Sequence, residues 1–250
     1  MIRDLFYRAV IKAQRLSART DGWPPKLTGR GIEIGAHGNP IPGIEPFYVD
    51  RFREFAGAKC PAHVLSDGAA LPFRDSSLDY VASSHLLEHL PDPAGAIVEW
   101  YRAVKPGGII YIVVPDRRLT FDRHRPRTKV SHLMEDFERK TGPSDPTHID
   151  DFFDHLDWKR FDPSLKAEDV PAFRELHREQ DLQAAREGRM VSIHFHVFEK
   201  PDLIALLEAL REHPKALLRY ELVEERTFFP PDAGNGFLVA IRSKKPEPKT

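Results

Sequence analysis

The sequence holds a single cysteine, Cys60, in 250 residues. That excludes an intramolecular disulfide and any zinc site built on cysteine pairs. Pro61 beside it and the apolar run after it predict a buried strand-edge thiol rather than a catalytic nucleophile. Long apolar runs are also missing. No stretch approaches the roughly 20 residues that span a bilayer, and no secretory leader is recognisable. Neither sign of charge is in excess, with 37 Lys and Arg against 38 Asp and Glu. Such a balance demands neither nucleic acid nor an anionic surface, and no nucleic-acid partner is expected. With 41% hydrophobic residues a real core is affordable. These features predict one large domain, or a domain with an insertion, in a cytoplasmic protein.

What is present centres on Gly31-Ile32-Glu33-Ile34-Gly35-Ala36-His37-Gly38. Ile32 and Ile34 supply a short buried strand. Gly35 and Gly38 allow positive φ and leave no Cβ in the way of a ligand. A second apolar segment, Phe47-Tyr48-Val49, ends in Asp50. An acid past one strand, beside a glycine turn from the preceding strand, suits a nucleoside, because the carboxylate accepts from both ribose hydroxyls.

Along the chain, residues 2–19 read as an amphipathic helix, with Leu5, Phe6, Val10 and Leu16 on its apolar stripe. Five basic residues stand against the single acid Asp4. Such a helix docks on its own domain or makes peripheral contact with a membrane. Pro40, Pro42 and Pro46 predict a loop rather than a helix between Gly38 and Phe47. A short helix is expected over 51–57, strands over 62–66 and 77–84, and a helix over 93–105 with Asp92 as N-cap. Pro106-Gly107-Gly108 then launches the wholly apolar 109–114, the pattern of a central parallel strand covered on both faces. Strands alternating with helices give an α/β parallel sheet. From 115 to 191 charge and histidine rise and only short helical pieces, 131–140 and 171–187, appear. This stretch is too long for a plain loop and reads as a helical insertion covering a site. Residues 192–198 read as a strand, followed by a helix with Leu203, Leu206, Leu207 and Leu210 inward. Residues 217–227 and 236–242 read as an edge hairpin, and 244–250 as a polar tail.

The segments Glu33-Ile34-Gly35-Ala36-His37-Gly38, Tyr48-Val49-Asp50-Arg51, Asp67 to Phe73, Ser84-His85-Leu86-Leu87-Glu88-His89-Leu90 and Arg102 to Gly108 resemble, in order and spacing, the class I S-adenosylmethionine-dependent methyltransferases with a type 11 core. The resemblance covers residues 30–115. It implies a Rossmann-like seven-stranded sheet of order 3-2-1-4-5-7-6, strand 7 antiparallel, with helices on both faces and S-adenosylmethionine as cofactor. By position, Glu33, Gly35, Ala36, His37 and Gly38 would form the loop at the methionine part, Asp50 the ribose acid, and Arg51 a neighbour of the adenine. Asp67 would accept from the adenine amino group, with Gly68 and Ala69 alongside, and Ser84 and His85 would face the reactive end. The proline-rich segment after Gly38, and His37 itself, depart from the family pattern.

Methyl transfer from a sulfonium is an in-line displacement, so the protein aligns the groups and supplies a base where the acceptor is protonated. This makes the histidines informative. His85-Leu86-Leu87-Glu88-His89 matches H-x-x-E-H, but Pro91 and Pro93 follow at once and a zinc-peptidase pair needs one helix. Glu88 and His89 either cap the site floor or hold a divalent ion, as a similar x-x-E-H element does in a small-RNA 2′-O-methylating group. His194 and His196, two apart, would share a face of their strand. His196, His85 and His89 are the candidate catalytic groups, a structural histidine being the alternative for His196. Asp116, Arg117, His148 and His194 are candidate acceptor contacts. The reading is methyl transfer to oxygen or nitrogen of a small polar acceptor such as a sugar or glycoconjugate. The rivals are a metal-assisted O-methyltransferase using Glu88 and His89, and a scaffold that keeps the fold without turnover.

Overall fold

The structure is a computed structural model that describes residues 27–246 except 56, 231 and 232. The expected helix over 2–19 and the end of the expected tail lie outside the described residues.

Among the described residues there are nine strands: β1 (Gly31–Ile34), β2 (Phe47–Asp50), β3 (Glu54–Phe55), β4 (Ala58–Lys59), β5 (Val64–Leu65), β6 (Leu78–Ser84), β7 (Val104–Pro115), β8 (Tyr220–Phe229) and β9 (Gly236–Ser243). Seven of them form one sheet in the order β5-β2-β1-β6-β7-β9-β8. The first five run parallel, and β9 is antiparallel to both β7 and β8. This is the expected order, with the antiparallel strand where the resemblance implies it.

Side chains alternate between two cores, as the period of a strand requires. Ile32, Ile34, Val81, Ile110 and Ile112 face one side. There they meet Ile97 and Trp100 of α1 (Pro93–Ala103) and Leu203, Leu206, Leu207 and Leu210 of α6 (Lys200–Glu212). Tyr80, Ala82, Tyr111, Val113 and Leu238 face the other side, packed by Ile41, Ile44 and Phe229. Among the described residues no helix covers that second face, so helices on both faces are not seen there. Asp92 caps α1 by accepting from the Gly95 amide at 2.7 Å, and Pro93 opens the helix where its missing N–H costs nothing.

Between β7 and α6 lie α2 (Val130–Arg139), α3 (Ile149–His155), α4 (Trp158–Phe161) and α5 (Val170–Arg186). This insertion has its own small core of Ile149, Phe152, Phe153, Leu156, Val191, Ile193 and Phe195. Its two ends meet: Asp116 bridges Phe198, and the Arg117 amide donates to the Phe198 carbonyl at 3.0 Å.

Several local expectations are overturned. Residues 51–57 are not helical, because Glu54 pairs with Lys59 in the β3–β4 hairpin, with Gly57 at φ 78° in the turn. The fifth sheet strand begins at Val104, before Pro106, and its register against β6 shifts between Leu78 and Tyr80. Residues 192–198 form no strand beyond the single bridge. Their backbone groups bond to side chains instead: Arg125 donates to the His194 and Phe195 carbonyls, and Thr128 Oγ1 accepts from the Val197 amide. The tail begins docked, since Lys245 Nζ lies 3.0 Å from the Arg102 carbonyl and over the Tyr101 ring.

Candidate functional site

A cavity of about 1300 Å³ opens at the carboxyl ends of the parallel strands, the place where open α/β sheets take ligands. Its floor is the turn after β1. Gly35 sits at φ 68°, a left-handed conformation that favours glycine, and a Cβ there would push on the Leu86 side-chain end 2.9 Å away. The second left-handed residue is His37 (φ 47°), not Gly38. His37 Nε2 lies 2.9 Å from the Phe55 carbonyl, which ties the turn to the β3–β4 hairpin. Gly35, Ala36 and His37 line the cavity, whereas Glu33 and Gly38 do not. Glu33 is fully buried and holds the loop by accepting from the Ile41 amide at 2.9 Å. Its other oxygen has no partner, and burial raises its pKa to about 7.

Asp50, the last residue of β2, lines the cavity and accepts from the Phe52 amide at 3.0 Å. Cys60 also lines it; burial and then the Asp50 carboxylate push its thiol pKa up, so it stays protonated and is no nucleophile. Asp67 accepts from the Ala69 amide at 2.9 Å and pairs with the Arg51 guanidinium, whose other nitrogen lies 2.8 Å from Met190 Sδ. The Asp67 carboxylate, which the resemblance has accepting from an adenine amino group, thus already accepts from Arg51. Gly68 stands at the same wall, its carbonyl taking the Trp100 indole N–H at 2.7 Å. Ser84 ends β6, and His85 follows at φ 53°.

Beyond His85 the H-x-x-E-H stretch makes one 3₁₀ turn, Leu87–His89, too short to set two histidines on a helix face. Glu88 is buried, with one oxygen 3.9 Å from His85 Nδ1 and 4.0 Å from His89 Nε2 and the other without a partner. Burial raises its pKa to about 7. Burial, and repulsion by His194, lower His85 to about 4 and His89 to about 3. Both imidazoles are therefore neutral near pH 7 and face the cavity.

The insertion supplies the opposite wall through Met190 to Ile193, Phe137, Thr141 and Pro143. None of these was legible as a site residue, since each is apolar or small and far away in sequence. The histidines expected to share one face separate. His194 Nδ1 lies 2.7 Å from Asp122 Oδ2, and its ring packs on His89. His196 is fully buried, with Nε2 3.1 Å from the Pro91 carbonyl, and does not line the cavity. A general base must reach its acceptor, so His196 is corrected to a buried structural group. The same applies to the remaining acceptor contacts. Asp116 is buried against Arg118, Arg117 pairs with Glu199 at 3.0 Å, and His148 is buried beside His132. These three and His194 all lie off the cavity wall.

A mostly parallel sheet with a glycine turn and strand-end acids around one deep cavity is an arrangement suited to a nucleoside cofactor. A methyltransferase-domain family matches residues 46–112. A probable S-adenosylmethionine-dependent methyltransferase of Mycolicibacterium smegmatis is 39% identical over 127 residues, 48% of each chain. A demethylmenaquinone methyltransferase of Staphylococcus haemolyticus is 30% identical over 115 residues, 44% of this chain and 46% of that one. The matched segments thus span about half the length of these curated relatives. A solved S-adenosylmethionine-dependent methyltransferase of Thermotoga maritima, described as a possible histamine N-methyltransferase, overlaps 98% of this chain and 96% of its own at TM-score 0.46 and 18% identity. Residues 46–112 thus match a methyltransferase domain, and the sheet order is the one that the resemblance to class I S-adenosylmethionine-dependent methyltransferases implies.

Proposed function

We propose that the protein transfers the methyl group of S-adenosylmethionine to oxygen or nitrogen of a small polar acceptor, a sugar or glycoconjugate fitting the polar insertion. The observation that carries this reading is the convergence of Gly35, Asp50, Asp67, Ser84 and His85 on one cavity. When bound, the cofactor supplies an activated methyl on a sulfonium, which needs no metal to react. Asp50 would take the ribose hydroxyls, Gly68 and Ala69 would flank the base, and the Gly35 turn would carry the methionine part. His85, on the wall beside Ser84, and His89, both neutral, are the candidate bases that remain once His196 is removed. The insertion wall excludes water and positions the acceptor, whose alignment supplies most of the rate.

A second reading has its own support: Glu88, His89 and His194 offer ligand atoms within 4.8 Å of one another. Asp122 orients His194, and the Ile193 carbonyl, 3.1 Å away, orients His89, the outer-shell arrangement of metal-binding histidines. A divalent ion there would polarise an acceptor hydroxyl. Turnover unchanged by EDTA sinks that version.

Calorimetric titration of S-adenosylhomocysteine into the wild type and Asp50→Ala tests the main reading. Micromolar binding, weakened about tenfold or more in the variant, is expected from loss of charge-assisted ribose contacts. A well-folded wild type that does not bind refutes the enzyme and leaves the scaffold.

A further inference from the structure

Away from the cavity wall, four side chains from three separated stretches converge. His132 and Asp136 lie one turn apart on α2 and so share a face. His148 immediately precedes α3, and His196 lies near the end of the insertion. Asp136 Oδ2 is 3.4 Å from His132 Nε2, 3.5 Å from His148 Nε2 and 3.7 Å from His196 Nε2. One donor atom from each of the four residues lies within 4.8 Å of the others. A tetrahedral zinc ion with bonds of about 2.0–2.1 Å sets its ligand atoms roughly 3.3 Å apart, which matches these separations.

The remaining polar atoms are arranged as a metal's outer shell. Asp136 Oδ1 accepts from Thr141 Oγ1 at 2.7 Å, while Oδ2, in a residue only 2% exposed, has no hydrogen-bond partner. His148 Nδ1 lies 3.1 Å from Thr147 Oγ1 and 3.7 Å from Asp145, so Nε2 is left to point inward. His132 Nδ1 faces Glu135 at 4.0 Å. His196 Nε2, the nitrogen 3.7 Å from Asp136 Oδ2, also lies 3.1 Å from the Pro91 carbonyl, a contact that an ion on Nε2 would replace. Leaving a buried carboxylate oxygen such as Asp136 Oδ2 unsatisfied is costly, and a cation among the four side chains would satisfy it.

We propose that His132, Asp136, His148 and His196 bind one zinc ion. Three imidazoles and a carboxylate with no thiolate, closed by four protein ligands, make a structural site rather than a catalytic one. None of the four lines the cavity, but Phe137 and Thr141, close in sequence to Asp136, do. The ion fastens α2 and the start of α3 to the segment that returns to the sheet, and so holds the inner wall of the insertion. This site is separate from Glu88, His89 and His194 and does not depend on methyl transfer.

The test is metal analysis of the tag-free full chain, loaded with zinc and gel-filtered into metal-free buffer. About one equivalent should stay with the wild type and with Glu88→Gln/His89→Ala, and fall tenfold or more in His132→Ala/His148→Ala. A cobalt-loaded wild type should show the visible bands of a tetrahedral ion, and chelation should lower its melting temperature. A wild type that retains no zinc overturns the proposal, as does zinc kept by the His132/His148 variant but lost from the Glu88/His89 variant. If the His132/His148 variant does not fold, the cobalt spectrum decides: tetrahedral bands lost in the conservative Asp136→Asn support the site, and no tetrahedral bands in the wild type refutes it.

Discussion

The two walls of the cavity are held by different physics. On the sheet side, acids are fixed by amides two or three residues ahead: Asp50 by Phe52, Asp67 by Ala69, and Asp92 by Gly95 at the neighbouring helix. These are short loops with little closure entropy to overcome. On the insertion side, order comes from contacts across the chain. Arg125, buried completely, reaches the carbonyl of His194, 69 residues away, and pairs with Asp122 and Asp151 at 3.0 and 2.8 Å. Asp122 in turn holds His194 across 72 residues. The sheet wall forms wherever the strands form. The insertion wall exists only when its whole polar network is complete, because a partly satisfied buried network costs more than an apolar core.

Breaking that network should have the largest effect. Arg125→Ala leaves Asp122 buried without its guanidinium partner and should destabilise by about 3–5 kcal/mol. Hydrogen exchange should rise across 149–156 and 191–196 ahead of β6 and β7. An equal rise throughout would mean that the two walls open as one unit.

Glu33 sharpens the contrast from the sheet side. Its pKa is raised to about 7 from an ordinary 4.5, so between those values the folded chain keeps a proton that the unfolded chain has lost. Stability from this group is therefore full below about pH 4.5 and declines as pH rises to about 7, by up to roughly 3 kcal/mol. In denaturant midpoints measured across that window, Glu33→Gln should remove the decline while its amide oxygen still accepts from Ile41. An identical pH slope in wild type and variant would show that Glu33 ionises normally.

The smallest change is Asp92→Ala, where one capping bond is lost and about 1 kcal/mol of stability should follow. Chemical denaturation checks it. A loss several times larger would mean that α1 is not locally capped but depends on the α2 contact.

How far each wall is legible follows from the same division. Gly35, Asp50, Asp67, Ser84 and His85 are readable because strand ends and glycine turns place them within a few residues of a recognisable pattern. Even there, the hairpin over 54–59 and the left-handed turn at His37 went unread, since Gly57 and the Phe55 carbonyl outweigh local propensity. In the insertion, α2 and α5 fall close to their predicted spans, while the His132–Asp136 spacing of one helical turn went unread. Period-two spacing, however, put His194 and His196 on one face of a strand that does not exist. With no partner strand, the backbone there is bonded by Arg125 and Thr128, and the two imidazoles go to different clusters.

By itself, then, the sequence determined the sheet, its helices on the α1 and α6 face and the turns that line the cavity, because alternation of apolar residues, caps and glycine act over a few residues. Which histidines meet the cavity and which meet one another was decided only by the tertiary structure. Burial and ion pairing across some seventy residues set those positions, and no local pattern carries that information.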